Sequence, residues 1–110
     1  MTNMLITKEK NKIVVVGSAN MDMVISASHF PHPGETLTGY GFMTNHGGKG
    51  ANQAVAAARL GADVSFIGKV GNDFLGKHLK KVVEEVGIDT RNLLLDEEVH
   101  TTLAFVHTYA

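Results

Sequence analysis

The sequence predicts an α/β fold: helices laid on a parallel sheet, with a second, small sheet grafted on. Three observations predict it. Two short β-branched runs, "KIVVVGS" and "DVSFIGKVG", are separated and followed by helical pattern, the alternation that builds a parallel sheet with crossover helices. Between the first run and the first helix lie strand-like segments of mixed polarity, the composition of a sheet with one wet face. The same alternation returns at the far end, in "TTLAFVHTYA".

Each element follows from its residues. Residues 1–12, "MTNMLITKEKNK", carry lysines but no apolar run of a signal peptide, and read as a flexible leader before a folded unit over 13–110. "KIVVV" is all apolar, as expected of a strand covered on both faces. Met23 to Ser28 and Thr36 to Met43 are two modest strands, joined by "PHPGE", whose prolines and glycine make a turn. Ala51 to Leu60 is helical, with Ala51, Ala54, Val55 and Ala58 on one face and Gly61 placed to stop it. After "DVSFIGKVG", Asn72 or Asp73 caps a second helix. Its Leu75, Leu79, Val82, Val83 and Val86 recur at helical spacing, and Gly87 ends it. "NLLL" is a candidate strand and "TTLAFVHTYA" a clear one. Two or three parallel strands leave unpaired edges and a poorly covered face, so the chain is expected to be the amino-terminal part of something larger.

Composition excludes several function classes. The 110 residues are 44% hydrophobic and 19% charged, with a formal net charge of -1. Nothing there recruits nucleic acid or an anionic membrane. No apolar run approaches a membrane span. The absence of Cys excludes thiolate chemistry and fits a reducing cytoplasm. No pair among the six histidines has the spacing of a helical zinc motif, and there is no Cys to complete a structural site, so no metal ligands are expected.

The chemistry concentrates in "NHGGKGANQ", Asn45 to Gln53. A Walker A loop needs Ser or Thr after Gly-Lys and a glycine five positions before the lysine's own glycine. Gly50 and Met43 stand there instead. A dinucleotide fingerprint fails after the first strand, where "GSANMD" puts Ala19 and Asp22 at the second and third glycine positions. What remains is a bare loop opening a helix. Gly48 and Gly50 give a ligand access to backbone N–H groups, Lys49 adds donors, and Asn52 adds a donor and an acceptor. Asn20 and Asp22, two apart, share a side if the backbone is extended. An ionised Asp beside an Asn suits neighbouring hydroxyls, so the set describes a polyol better than a phosphate. Each piece also has a plainer role. Asn20 and Asp22 make turns or caps, the glycines make connectors, Lys49 is solvated, and Asn52 is an ordinary first-turn residue.

Beyond composition, "GGKGANQAVAAARLGADVSFIGKVGNDFLG", "VVVGSANMD" and "FPHPGETLTG" resemble the ribokinase-like (PfkB) sugar kinases over nearly the whole chain from Ile13. The upstream segments are closer to the ribose-specific branch than to the fructokinase or adenosine kinase branches. The resemblance implies a Rossmann-like three-layer domain with a small β-sheet lid, here about 23–43 and 101–109, whose strands also pair across a homodimer. It implies D-ribose as acceptor at its 5-hydroxyl, ATP as donor, and Mg2+ and a monovalent cation such as K+. It places the sugar on Asn20, Asp22, Gly48, Lys49, Gly50 and Asn52. The family's catalytic aspartate belongs to a G-A-G-D signature that is absent from these 110 residues. No catalytic residue is therefore expected here, and the segment alone is expected to be inactive. The alternatives are another sugar or nucleoside kinase of the family, or a non-catalytic sugar-binding or dimerising module.

Overall fold

The alternation of buried and exposed residues along "DVSFIGKVG" organises the parallel one of two three-stranded sheets. In the computed structural model, which describes residues 9–109, the order is β1 (Lys12–Val16), β2 (Asn20–Ala27), β3 (Tyr40–Gly47), α1 (Lys49–Arg59), β4 (Asp63–Gly71), α2 (Phe74–Glu85), β5 (Leu93–Asp96) and β6 (Leu103–Tyr109). β1, β4 and β5 form a parallel sheet with β4 central, and α1 and α2 lie in its two crossovers. Val64, Phe66 and Val70 of β4 turn inward and meet Leu93 of β5, Ala51 and Ala54 of α1, and Leu79 and Val83 of α2. Phe66 and Leu93 are completely buried, each worth about 1.5–3 kcal/mol of transfer free energy. The small side chains of Ala51 and Ala54 let α1 lie close to the sheet.

Both helices border one groove and so share one face of this sheet. The expectation that "KIVVV" is covered on both faces is corrected. Val14 and Val16 are 62% and 74% exposed, beside exposed Ile67 and Leu94. Side chains alternate across a strand, and among the described residues nothing packs on the second face. Residues 1–8 of the expected leader lie outside the described residues.

The helix ends follow the sequence closely. Gly61 and Gly87 take the left-handed region at φ 99° and 97°, as terminating glycines do. α1 begins at Lys49, two residues before the expected start. Asp73 caps α2, its Oδ1 accepting from the Gly76 N–H at 2.7 Å. The same carboxylate accepts from the Thr101 N–H at 2.8 Å and the Thr101 hydroxyl at 2.7 Å. Thr101 Oγ1 in turn accepts from the Gly71 N–H at 3.0 Å. One side chain thus ties the end of β4, the start of α2 and the approach to β6.

The second sheet has the order β3–β2–β6. β2 and β3 are antiparallel, from Asn20↔Gly47 to Val24↔Met43, with a bulge before Ser26↔Tyr40. β6 is parallel to β2, from Met21↔Leu103 to Ala27↔Tyr109. β2 and β3 form an antiparallel excursion between β1 and α1, and β6, arriving after a crossover through the parallel sheet, makes the sheet mixed. The second lid strand lies at Tyr40–Gly47, not Thr36–Met43. Pairing begins only at Tyr40, after Gly39 has lain against Ile25, where an added Cβ would sit 2.6 Å from Ile25 Cδ1. This sheet projects from the first, and the radius of gyration is 18.2 Å, against about 13 Å for a compact chain of this length.

Hydrogen bonds, first from the Thr101 N–H and then from the Gly76 N–H and the Thr101 hydroxyl, hold the Asp73 carboxyl down at a pKa of about 2, from 3.8. A depressed carboxyl stabilises the fold above its unfolded pKa and loses that contribution as pH falls through its folded value. Asp73→Ala should therefore cost about 1–2 kcal/mol at pH 6. In urea titrations followed by circular dichroism, the gap between variant and parent should close between pH 4 and 2. A gap that is independent of pH would show that the carboxylate charge contributes nothing.

Candidate functional site

Gly17, Ser18 and Ala19 carry the chain from β1 into β2, and the first residues of β2 present the polar pair. Met21 is buried, 3% exposed, and its anchoring turns Asn20 and Asp22 to the opposite side of the strand. The Asn20 Nδ2 donates to Asp22 Oδ1 at 2.7 Å, and both side chains are half-buried. This bond orients the amide. Asn20 Oδ1 and Asp22 Oδ2 remain as acceptors for hydroxyl donors.

Across the sheet, Gly47 pairs with Asn20. A Cβ on Gly47 would lie 2.6 Å from both Asp22 oxygens, so the bare position gives the carboxylate its room. Gly48 is the N-cap of α1 at φ 103°, with no side-chain cap. Its Cβ would meet the Ser18 carbonyl and lie 2.8 Å from Ala19 Cα. A Cβ on Gly50 would lie 2.8 Å from Gly17 Cα and 3.0 Å from Ser18 N. The Ala51 N–H donates to the Ser18 carbonyl at 3.1 Å. The first turn of α1 is thus docked on the segment that leads into Asn20.

This docking gives Gly48 and Gly50 a packing reason to be bare, beside the ligand access expected of them. The space a side chain would take is filled by the protein's own backbone. What the loop offers outward is main-chain N–H, since the opening N–H groups of a helix have no intrahelical partner.

The structure brings Asn20, Asp22, Gly48 and Gly50 to one corner. Lys49 is exposed and forms no ion pair among the described residues. Asn52 is exposed and lines, with His46, a groove of about 290 Å³ between α1 and α2, floored by Val55, Leu79 and Val83. It makes no side-chain hydrogen bond to Asn20 or Asp22 among the described residues. Gly17 and Ser18 were missed in the sequence, while Gly47 was read as part of the bare loop but not as a site residue. The "GS" after the first β-run was the available signal for both missed residues. Metal ligands were not expected, yet His29, His32 and Glu35 converge at the turn after β2. A helical-spacing test does not apply to residues on a proline-rich turn.

Residues 10–110 match the pfkB family carbohydrate kinase profile. The chain belongs to the pfkB family. It is 48% identical over 97 residues to a ribokinase of Haemophilus influenzae, covering 88% of this chain and 32% of that protein. To a Bacillus subtilis ribokinase it is 44% identical over 95 residues, covering 86% and 32%. The structure of an Arabidopsis thaliana ribokinase complexed with ribose and ATP superposes with a TM-score of 0.82 at 32% identity, over 93% of this chain and 33% of that one. The fold is thus the ribokinase-like α/β fold. This pfkB-family chain spans about a third of the length of those relatives.

Gly50→Ala should destabilise the chain by about 1–3 kcal/mol, as overpacking does, because its Cβ meets backbone that cannot swing away. Urea denaturation measures it. A variant as stable as the parent would show that the α1 turn is not held against Gly17.

Proposed function

We propose that these residues form the sugar-holding part of an ATP-dependent carbohydrate kinase whose acceptor is D-ribose, phosphorylated at its 5-hydroxyl. The observation that carries the reading is the Asn20–Asp22 pair, with acceptors outward, set beside the uncapped start of α1. Asp22 Oδ2 and Asn20 Oδ1 accept from two neighbouring hydroxyls, which suits a vicinal diol. The helix start and Lys49 supply donors to the sugar oxygens, and Asn52, at the groove beside the helix's first turn, is assigned to the sugar's outer edge. A phosphate would meet Asp22 as a like charge. The reading therefore favours the neutral acceptor over the nucleotide at this corner.

Holding a hydroxyl in line is itself a large part of phosphoryl transfer, where positioning and charge stabilisation carry the rate. The residues here do not fit the Mg2+ and ATP group. The corner offers one carboxylate, engaged by Asn20, and the sequence contains no G-A-G-D stretch. We assign the aspartate base, the nucleotide, Mg2+ and the monovalent cation to parts of the parent protein beyond this segment, which alone transfers nothing. No helix among the described residues is long and apolar enough to cross a membrane.

The second sheet supports a homodimer. Met23, Ile25, Phe42 and Phe105 line one apolar hollow of about 470 Å³, and Phe42 and Phe105 are 64% and 79% exposed. Asp22 lies on the other face of β2, so one sheet can serve a partner and a sugar at once.

Two experiments test these readings. In the parent kinase, Asp22→Ala should weaken D-ribose binding by about 1–3 kcal/mol, roughly 5- to 150-fold, by titration calorimetry. Gly47→Ala should do the same by displacing the carboxylate. Unchanged affinity in both, or adenosine bound more tightly than ribose, overturns the ribose site. Phe105→Asp should shift the sedimentation coefficient from dimer to monomer; a parent that sediments as a monomer overturns the pairing.

A further inference from the structure

We infer that the turn after β2 is a binding site for a divalent transition ion, ligated by His29, His32 and Glu35. Among the described residues these three form the one group whose candidate ligand atoms all lie within 4.8 Å of one another. The His29 Nε2 stands 2.9 Å and 3.1 Å from the two Glu35 carboxylate oxygens. The rings of His29 and His32 are 5.6 Å apart and inclined at 31°. Ligand atoms on a tetrahedral Zn2+ are about 3.3 Å apart, from bonds of about 2.0–2.1 Å. Small rotations of two exposed side chains therefore bring the set to bonding geometry.

The surroundings prepare it. The His29 Nδ1 is 3.0 Å from Ser28 Oγ, and a ring nitrogen held in that way leaves Nε2 as the ligand. The turn is closed without the ion: the Glu35 N–H donates to the His32 carbonyl at 2.9 Å, and the His32 N–H donates to Glu35 Oε1 at 3.0 Å. Gly34 takes φ 78°, the value a type II turn requires at its third position, and Pro31 and Pro33 stiffen the chain on either side of His32. Little order has to be created on binding.

Two imidazoles and a carboxylate select Zn2+, Ni2+, Co2+ or Cu2+ over Mg2+ or Ca2+. Three ligands leave a position for water. The site stands beyond the far end of β2 from Asn20, about 25 Å away along an extended strand, and is distinct from the proposed sugar corner. A bound ion ties the end of β2 to residues 28–39, which lead into β3.

The test is a Zn2+ titration of the untagged chain by calorimetry, repeated with Co2+ to read the coordination from its visible spectrum. The parent should bind one equivalent. His29→Ala, His32→Ala and Glu35→Gln should each abolish that isotherm, and Ser28→Ala should weaken it about 10- to 100-fold. His78→Ala, which removes the second close imidazole pair, 3.4 Å from His46, should leave it intact. No stoichiometric binding by the parent, binding that survives loss of both His29 and His32, or binding lost in His78→Ala overturns the site.

Discussion

The approach of Gly17 to Gly50 is the constraint on which the candidate site depends. Two backbone segments meet where a single Cβ would lie 2.8–2.9 Å from the opposing Cα, and the Ser18 carbonyl takes the Ala51 N–H across the same junction. From that contact the start of α1 and the start of β2 acquire a fixed relation. Asn20 and Asp22 face the helix mouth because Met21, between them, is sunk in the core. The chemistry of the corner is thus set by packing a few residues away from any group that would touch a sugar.

A second junction sets the second sheet. The Asp73 carboxylate holds the α2 N-terminus and Thr101 together, and Thr101 stands two residues before β6. Gly71 and Gly76 are bare for this reason, since a side chain on either would collide with backbone of the knot. β6 then runs beside β2, whose first residues carry the candidate site. The two junctions share β2 as their common element, so the candidate site and the second sheet are parts of one frame.

Much of this was legible in the sequence. The β4 run was bounded by the residues that bound it in the structure. Gly61 and Gly87 as terminators followed from local pattern alone, and of the two cap candidates, Asn72 and Asp73, the structure takes Asp73. The register of β3 was not legible. A strand of mixed polarity has little to distinguish one register from another, and the starting point was set by Gly39 against Ile25 and by a bulge. The direction of β6 was hidden for a related reason: parallel and antiparallel strands have the same period of two. The convergence of His29, His32 and Glu35 belongs to the turn's closure, which no spacing rule for helices describes.

The sequence by itself determined the α/β class, the order of the elements, the glycines that end both helices, the family, and the residue types gathered around the glycine loop. These depend on periodicity and on short-range backbone preferences, which travel with the chain. Only the tertiary structure decided what those glycines face, on which side of β2 the polar pair lies, and that "KIVVV" is an exposed edge covered on one face. Those are properties of contacts between segments distant in sequence, and a Cβ that is missing says nothing of its neighbour until the other backbone arrives.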